Sequence, residues 1–335
     1  MSDTEVFRGA RRAKNLKDER NENGMSKSKP TQIKTTPFKR YMQRNIYYYI
    51  LLLLPMLYFV IFRYGPILGN VLAFRSFQPG GSPYGEKWVG LTYFKMFMSD
   101  ANFWLAFKNT LVLSFMNLAF TFTMPIIFAL LLNEIMLPRI KNWVQTISCF
   151  PHFISAVIVV SMLQELLSPT TGIVNSFLNS LGYDSIFFMN EPSWFRPVFI
   201  FSELWQHMGW NSIIYCAAIV GIDPQLYEAA AVDGAGRLRQ VFSVTLPQIA
   251  PTIAVVLIIS LGSVMAVGFE KVLLMYTPSN AIVSDILDTY VYRMGIGNSS
   301  YSYATAVGLF SGVIGFILVS VTNYLSKKIS GNSLY

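Results

Sequence analysis

The chain has 335 residues, 53% of them hydrophobic and only 13% charged, with a formal net charge of +8. Soluble domains average about 25% charged residues, so this composition argues against an ordinary soluble enzyme and for a protein held in lipid. The positive excess does not read as a nucleic-acid footprint, because it is concentrated in a polar tail rather than on a folded patch.

Residues 1–44 are polar, strongly charged and nearly free of aromatics, a composition that favours a disordered basic tail. The first apolar run begins only after residue 44, so no signal peptide is expected at the start. Six stretches then lack Asp, Glu, Lys and Arg and are long enough for a span of about 20 residues. They are 45–62, 109–133, 142–164, 204–222, 240–269 and 294–326. Solid apolar runs exclude an alternating β-barrel pattern, so the expectation is an all-α integral membrane protein with six transmembrane helices. Residues 166–183 are also uncharged, but Ser168-Pro169-Thr170-Thr171-Gly172 and the asparagines suggest a loop.

Lys and Arg set the orientation. Of the 26, 18 fall in the tail, at Arg139 and Lys141, at Arg237 and Arg239, and at Lys327 and Lys328, all on one face of the six-span arrangement. That face, with both termini, is expected to be cytoplasmic. The two cysteines, Cys149 and Cys216, fall inside apolar runs and read as inert buried thiols.

The fourth run has an unusual polar stripe. Glu203, His207 and Asn211 recur every four residues and share one helix face, with Gln206 and Trp210 beside them. Polar groups in a span are costly, so they face a cavity or a partner helix. The stripe is either the wall of a translocation path or a set of interhelical hydrogen bonds. Glu203 stands near the outer end, where it could be wet. Asn109 and Asn117 suit helix packing, and Ser260 and Ser263 beside Gly262 suit close helix approach.

Between the fourth and fifth runs lies a short structured loop, 223–251. Asp223 can cap a helix and Pro224 fits its first position. Leu226 to Val232 is alanine-rich, and Gly234 is a natural stop. A second short helix over 236–246 would end at Pro247. Chemistry on the chain itself is scarce. There is no Gly-rich phosphate loop, no His-Glu-x-x-His zinc pattern and no Gly-x-Ser-x-Gly elbow, and the chain holds two histidines.

The run Glu228-Ala229-Ala230, Asp233-Gly234-Ala235, then Phe242, Leu246-Pro247 and Pro251 resembles the EAA loop of permease subunits of binding-protein-dependent ABC importers. Leu54-Pro55, Tyr58, Tyr64-Gly65-Pro66 and Phe74 resemble the carbohydrate-uptake branch, in particular the LplB-like oligosaccharide and polysaccharide group. The resemblance spans nearly all of 45–330 and implies a permease domain of the MetI-like fold after the tail at 1–44. It implies a multi-pass protein of the bacterial cytoplasmic membrane that imports a carbohydrate by alternating access. It further implies a second, homologous permease subunit, two ABC ATPases holding MgATP and an extracytoplasmic solute-binding protein, with no cofactor on this chain. Glu228, Ala229, Ala230, Asp233 and Gly234 would then couple to the ATPase. Glu203, Gln206, His207, Trp210 and Asn211 are the candidates for the substrate path. Two alternatives stay open: a permease for peptides or amino acids, and a carrier that needs no ATPase.

Overall fold

The computed structural model describes residues 41–42, 44–262, 264–265 and 267–330, so the expected tail lies almost wholly outside the described residues. Among the described residues the structure is helical, apart from an isolated antiparallel bridge between Arg75 and Trp88. By internal contacts the chain divides into two compact units, Met1–Gly65 and Pro66–Tyr335. The first contains α1 (Ile46–Phe59), which continues into one π turn, Val60–Tyr64.

The second unit holds α2 (Thr92–Met98), α3 (Ala101–Asn133), α4 (Pro138–Cys149), α5 (Ala156–Leu166), α6 (Ile173–Ser180) and α7 (Pro192–Val220). There follow α8 (Pro224–Val232), α9 (Arg237–Gly262), α10 (Phe269–Met275), α11 (Leu287–Tyr292) and α12 (Tyr301–Ser330). Three apolar clusters set the direction of these helices. Leu113 of α3 meets Phe195, Phe199 and Ile200 of α7, together with Val267, Val272 and Met275. Ile126 and Ala129, near the other end of α3, meet Tyr215 and Ile219 of α7 and Ile249 of α9. Helices α3 and α7 therefore run parallel, and α9 starts where they finish. Phe103 and Ala106 at the start of α3 pack with Tyr303, Ala306 and Val307 at the start of α12, which places a third helix start at that same end.

At this end Asp100 caps α3 by accepting from the Asn102 amide at 2.9 Å, and it also accepts from Tyr290 Oη at 2.5 Å. Burial pushes the Asp100 carboxyl up, but the hydrogen bonds from Tyr290 and Asn102 outweigh it and hold the group below the usual carboxylate range. Close by, Asp285 accepts both guanidinium contacts of Arg293, at 2.6 and 3.1 Å, and the Thr289 hydroxyl at 2.9 Å.

Four helices are long and apolar enough to cross a membrane: Ile46–Phe74, Ala101–Asn133, Arg237–Gly262 and Tyr301–Tyr324. A fifth is obtained if α4 and α5, with the 3-10 turn Phe150–Phe153 between them, count as one span bent by 99°. The expected run 142–164 is thus not one straight helix, because Pro151 removes an amide at the bend. With 29 residues α7 is about 43 Å long, but its polar side chains lower its apolarity.

Several boundaries differ from the expectation. The uncharged stretch 166–183 contains α6, whose Asn175 ties the surrounding loop by donating to the carbonyls of Leu167, Ser168 and Ile186. Pro247 does not end a short helix. The chain passes from Arg237 to Gly262 without interruption, because a π turn at Val241–Thr245 just before Pro247 absorbs its missing N–H. The runs 240–269 and 294–326 are longer than one span needs, and the helices take only part of each: α9 stops at Gly262, and α12 begins at Tyr301, after the turn at Asn298-Ser299-Ser300. The expected close approach at Gly262 is present: a Cβ there would sit 3.6 Å from the Val319 side chain of α12.

Candidate functional site

Two places gather the residues singled out by the sequence. The first is the α8 loop. Asp223 caps α8 by accepting from the Gln225 amide at 3.0 Å, and Pro224 occupies the first position. At the far end Gly234 takes φ +76°, the Ala235 amide donates to Ala230 O at 2.9 Å, and the Gly234 amide donates to Ala231 O at 3.0 Å. This paired arrangement closes the helix with a left-handed glycine. Gln240 Nε2 donates to Ala235 O at 3.0 Å, and the Tyr227 and Thr245 hydroxyls are 3.0 Å apart, so α8 is fastened to the first turns of α9.

Glu228, Ala229, Asp233 and Gly234 are exposed, and Ala230 is half-buried. Glu228 makes no side-chain hydrogen bond or ion pair among the described residues. Around them the loop presents apolar side chains outward: Val232 is 88% exposed, Leu238 77% and Phe242 69%. A short capped helix with alanines and free apolar groups on its surface has the build of a plug.

The second place is the stripe on α7, which the fold turns into a closed polar network. Lys271 of α10 is 3% exposed, and its ammonium donates to Glu203 Oε1 and, at 2.8 Å, to Gln206 Oε1. Gln206 Nε2 donates to the carbonyl of Ile154 at 2.6 Å, in the break between α4 and α5. Glu203 Oε2 lies 3.9 Å from His207 Nε2, and His207 Nδ1 lies 3.0 Å from His152 Nδ1, so one ring donates and the other accepts. The His152 ring stacks on Trp210, with centroids 4.4 Å apart and planes at 5°.

The expectation of a wet Glu203 therefore fails. Its side chain is 13% exposed and meets a buried cation, since an isolated charge at this depth would be far costlier than a paired one. Trp210 is 43% exposed, and Asn211 is exposed with no hydrogen bond of its side chain among the described residues. Glu203, Gln206 and His207 thus spend their polar atoms on protein partners, while Trp210, with one face against His152, stays partly exposed and Asn211 stays open.

Tight backbone geometry holds the network. A Cβ on Gly209 of α7 would come within 2.2 Å of the Ser148 carbonyl oxygen of α4, so only glycine lets the two helices cross there. Gly268 adopts φ +51°, and a Cβ on it would lie 2.8 Å from the Phe199 ring, which brings α10 and Lys271 against α7. Lys271 and His152 were not among the residues singled out from the sequence. Lys271 stands beside Glu270 and reads locally as the charged end of a span. The Phe150-Pro151-His152 run was the available signal for the break. Asn109 does serve packing, donating to the carbonyls of Ile282 and Asp285 and accepting from Arg196.

Comparison with known proteins places this architecture. Residues 122–331 match the family model described as binding-protein-dependent transport system inner membrane component. The chain is 45% identical over 289 residues to the polygalacturonan/rhamnogalacturonan transport system permease protein YteP of Bacillus subtilis (strain 168), covering 86% of this chain and 90% of the relative. It is 42% identical over 294 residues to protein LplB of the same organism, covering 88% and 92%. Among solved structures, it is similar to a chain of a bacterial ABC transporter involved in the import of the acidic polysaccharide alginate, with a TM-score of 0.81, 42% identity and coverage of 87% and 98%. The same holds for a bacterial alginate ABC transporter in complex with an alginate pentasaccharide-bound periplasmic protein, with a TM-score of 0.82, 40% identity and coverage of 89% and 99%. With the fold matched over nearly its whole length and the family model over most of it, the chain belongs to the inner membrane components of binding-protein-dependent transport systems.

Proposed function

We propose that this chain is one permease subunit of an ATP-driven importer of oligosaccharides, with fragments of acidic polysaccharides the first class to test. The observation that carries the reading is the α8 loop, a rigid capped helix with exposed Val232, Leu238 and Phe242, continuous with a 26-residue apolar helix. Such a helix suits the groove of an ATPase subunit, and α9 can act as its lever. The relatives support the substrate class, since one is named for polygalacturonan and rhamnogalacturonan and a structural neighbour imports alginate.

In this reading the chain crosses the bacterial cytoplasmic membrane six times. The spans are the Ile46–Phe74 helix, α3, the bent pair α4–α5, α7, α9 and α12. Helix α7 joins the others despite its polarity, because the groups that lower its apolarity are satisfied inside the bundle. Both termini and α8 face the cytoplasm, as the distribution of Lys and Arg favours. A second, homologous permease completes the path, two ATPase subunits hold MgATP, and a solute-binding protein delivers the saccharide to the opposite end. Glu228, Ala229, Ala230, Asp233 and Gly234 form the contact with the ATPase. Along the path, Trp210 and Asn211 meet the saccharide, by stacking and by hydrogen bonding, while Glu203, Gln206 and His207 hold that wall in shape. ATP binding and the outward-open state favour one another, and by linkage each stabilises the other equally.

The test is reconstitution of the chain with its partner subunits in liposomes. Labelled oligogalacturonides should enter only with ATP and the binding protein present. Uptake of peptides instead, or uptake of sugar without an ATPase subunit, overturns the reading.

A further inference from the structure

Lys271 has no part in the coupling surface or in the exposed wall, yet it is among the most deeply buried charged side chains of the described residues. It sits on α10, nine residues beyond the end of α9, and it reaches across to α7. Through Gln206 it is linked to Ile154 O, which lies between the 3-10 turn and α5 beside the helix cap Ser155. A bend of 99° frees backbone carbonyls from helical pairing, and a buried free carbonyl needs a donor. Gln206 Nε2 is that donor, and the orientation of its amide is fixed because its oxygen accepts from Lys271. If Lys271 were absent, the Gln206 amide could turn over and present its oxygen to the Ile154 oxygen. Glu203 is the counter-charge, with His207 and then His152 behind it. Helix α10 also packs along α5 itself, so the cation and the far side of the bend belong to one contact.

We infer that Lys271 is a positioning residue for transport, which sets the bend of α4–α5 through Gln206 and passes the displacement of α9 to that bend. The inference rests on the proposed importer function, because a lever requires a motor at α8. The geometry gives a continuous mechanical route. Helix α8 is tied to the first turns of α9, α9 leads to the glycine turn at 268, and that turn seats Lys271 on Gln206. The two outer links are directed hydrogen bonds, and between them the chain itself joins α9 to the Gly268 turn, a connected route for a shift between two discrete arrangements. A purely stabilising ion pair would need only Glu203. The bond to Gln206, and from there to the bend, has no such explanation.

The experiment uses the full importer in liposomes, with labelled oligogalacturonides as the probe, and reads solute moved per ATP hydrolysed. In the double variant Lys271→Met/Glu203→Met both charges go together and volume is kept, a replacement that buried ion pairs often tolerate. In Gln206→Leu the ion pair stays and the link to Ile154 is cut. Both variants should assemble with the partner subunits and hydrolyse ATP. Both should move about tenfold less solute per ATP, within the range of allosteric coupling free energies. Lys271→Arg, which keeps a donor to both partners, should restore the ratio. A wild-type ratio in either assembled variant overturns the inference, as does failure of both variants to assemble, which would make the network a folding device. If only the double variant fails to assemble, Gln206→Leu decides alone. Absence of uptake by the wild-type importer would instead count against the proposed function, so the two failures are told apart.

Discussion

The stripe from Glu203 to Asn211 and the loop from Asp223 to Gln240 are both polar interruptions between apolar helices, and they treat their surfaces in opposite ways. In the stripe, Glu203, Gln206 and His207 find partners on two other segments of the same chain, the break between α4 and α5 and helix α10, and the cation that matches them is buried. In the loop the polar groups mostly serve local needs, a cap at Asp223 and a closing turn at Gly234, and the ion pair Arg237–Glu134, at 3.8 Å, is exposed, while Val232 and Leu238 project into open space. A self-satisfied network resists change because each removal leaves a buried group stranded. A locally satisfied loop keeps its shape alone and leaves its outer face for another molecule. The two regions should therefore fail differently when one group is removed: the first by lower stability of the chain itself, the second by weaker contact with another subunit.

The largest effect on the chain's own stability is expected from Glu203→Leu, which leaves Lys271 buried without its counter-charge. Breaking a buried pair in this way costs about 3–5 kcal/mol, to be seen as a large fall in melting temperature in detergent. If Glu203→Leu melts like the wild type, the pair is wetter than its burial indicates and the contrast between the two regions weakens. Next comes Gly209→Ala. The added carbon would lie 2.2 Å from the Ser148 carbonyl oxygen and 2.3 Å from its carbon, and backbone cannot swing aside as a side chain can. The cost should reach the top of the range of about 1–3 kcal/mol for overpacking. A melting curve unchanged by this substitution would mean that α7 and α4 do not cross so closely.

What the sequence revealed follows the same division. The α8 loop was readable because its structure is written in neighbouring residues: the Asp-Pro start, the alanines and the glycine stop all act within one or two turns. Four of the six apolar runs coincide with helices long and apolar enough to cross a membrane, and a fifth with the bent pair α4–α5, whose bend the apolar run does not mark. Pro151 does break a helix, whereas Pro247 does not, and the difference lies in the π turn at Val241–Thr245, which no local rule signals. The polar stripe was visible as a face, yet its meaning depended on Lys271, 68 residues away from Glu203. A lysine beside Glu270 at the end of an apolar run looks like a residue heading for water. Only the turn at Gly268, folded against Phe199, carries it inward instead. Partnerships set by long-range packing escape any reading that works along the chain.

For the loop the expected losses are smaller in stability and larger in function. Gly234 has open space where a side chain would go, so the only penalty there is its backbone, at φ +76°. Gly234→Val places a β-branched residue in the left-handed region, at about 1–3 kcal/mol, and should loosen the end of α8. Gly234→Asn tolerates that conformation and should lose little. ATP hydrolysis in the assembled importer should uncouple from uptake in the valine variant and stay coupled in the asparagine variant. Equal behaviour of the two would show that the loop's shape does not matter to coupling.

The smallest effect on the chain itself, and the sharpest test of the comparison, is the double substitution Val232→Ser/Leu238→Ser. Both side chains are more than three-quarters exposed, and they contribute almost nothing to the packing of the subunit. Surface changes away from caps and cores usually fall within about 0.5 kcal/mol, so the melting temperature of the isolated chain should not move. Against a partner the arithmetic changes. Apolar side chains buried in the centre of an interface can each be worth more than about 1 kcal/mol, and losing two of them weakens the complex by about thirtyfold or more. The ATPase subunit should then be lost on purification, while the yield of the membrane chain is unchanged. Retention of the ATPase with wild-type affinity would mean that the exposed apolar face of this loop meets something other than the motor.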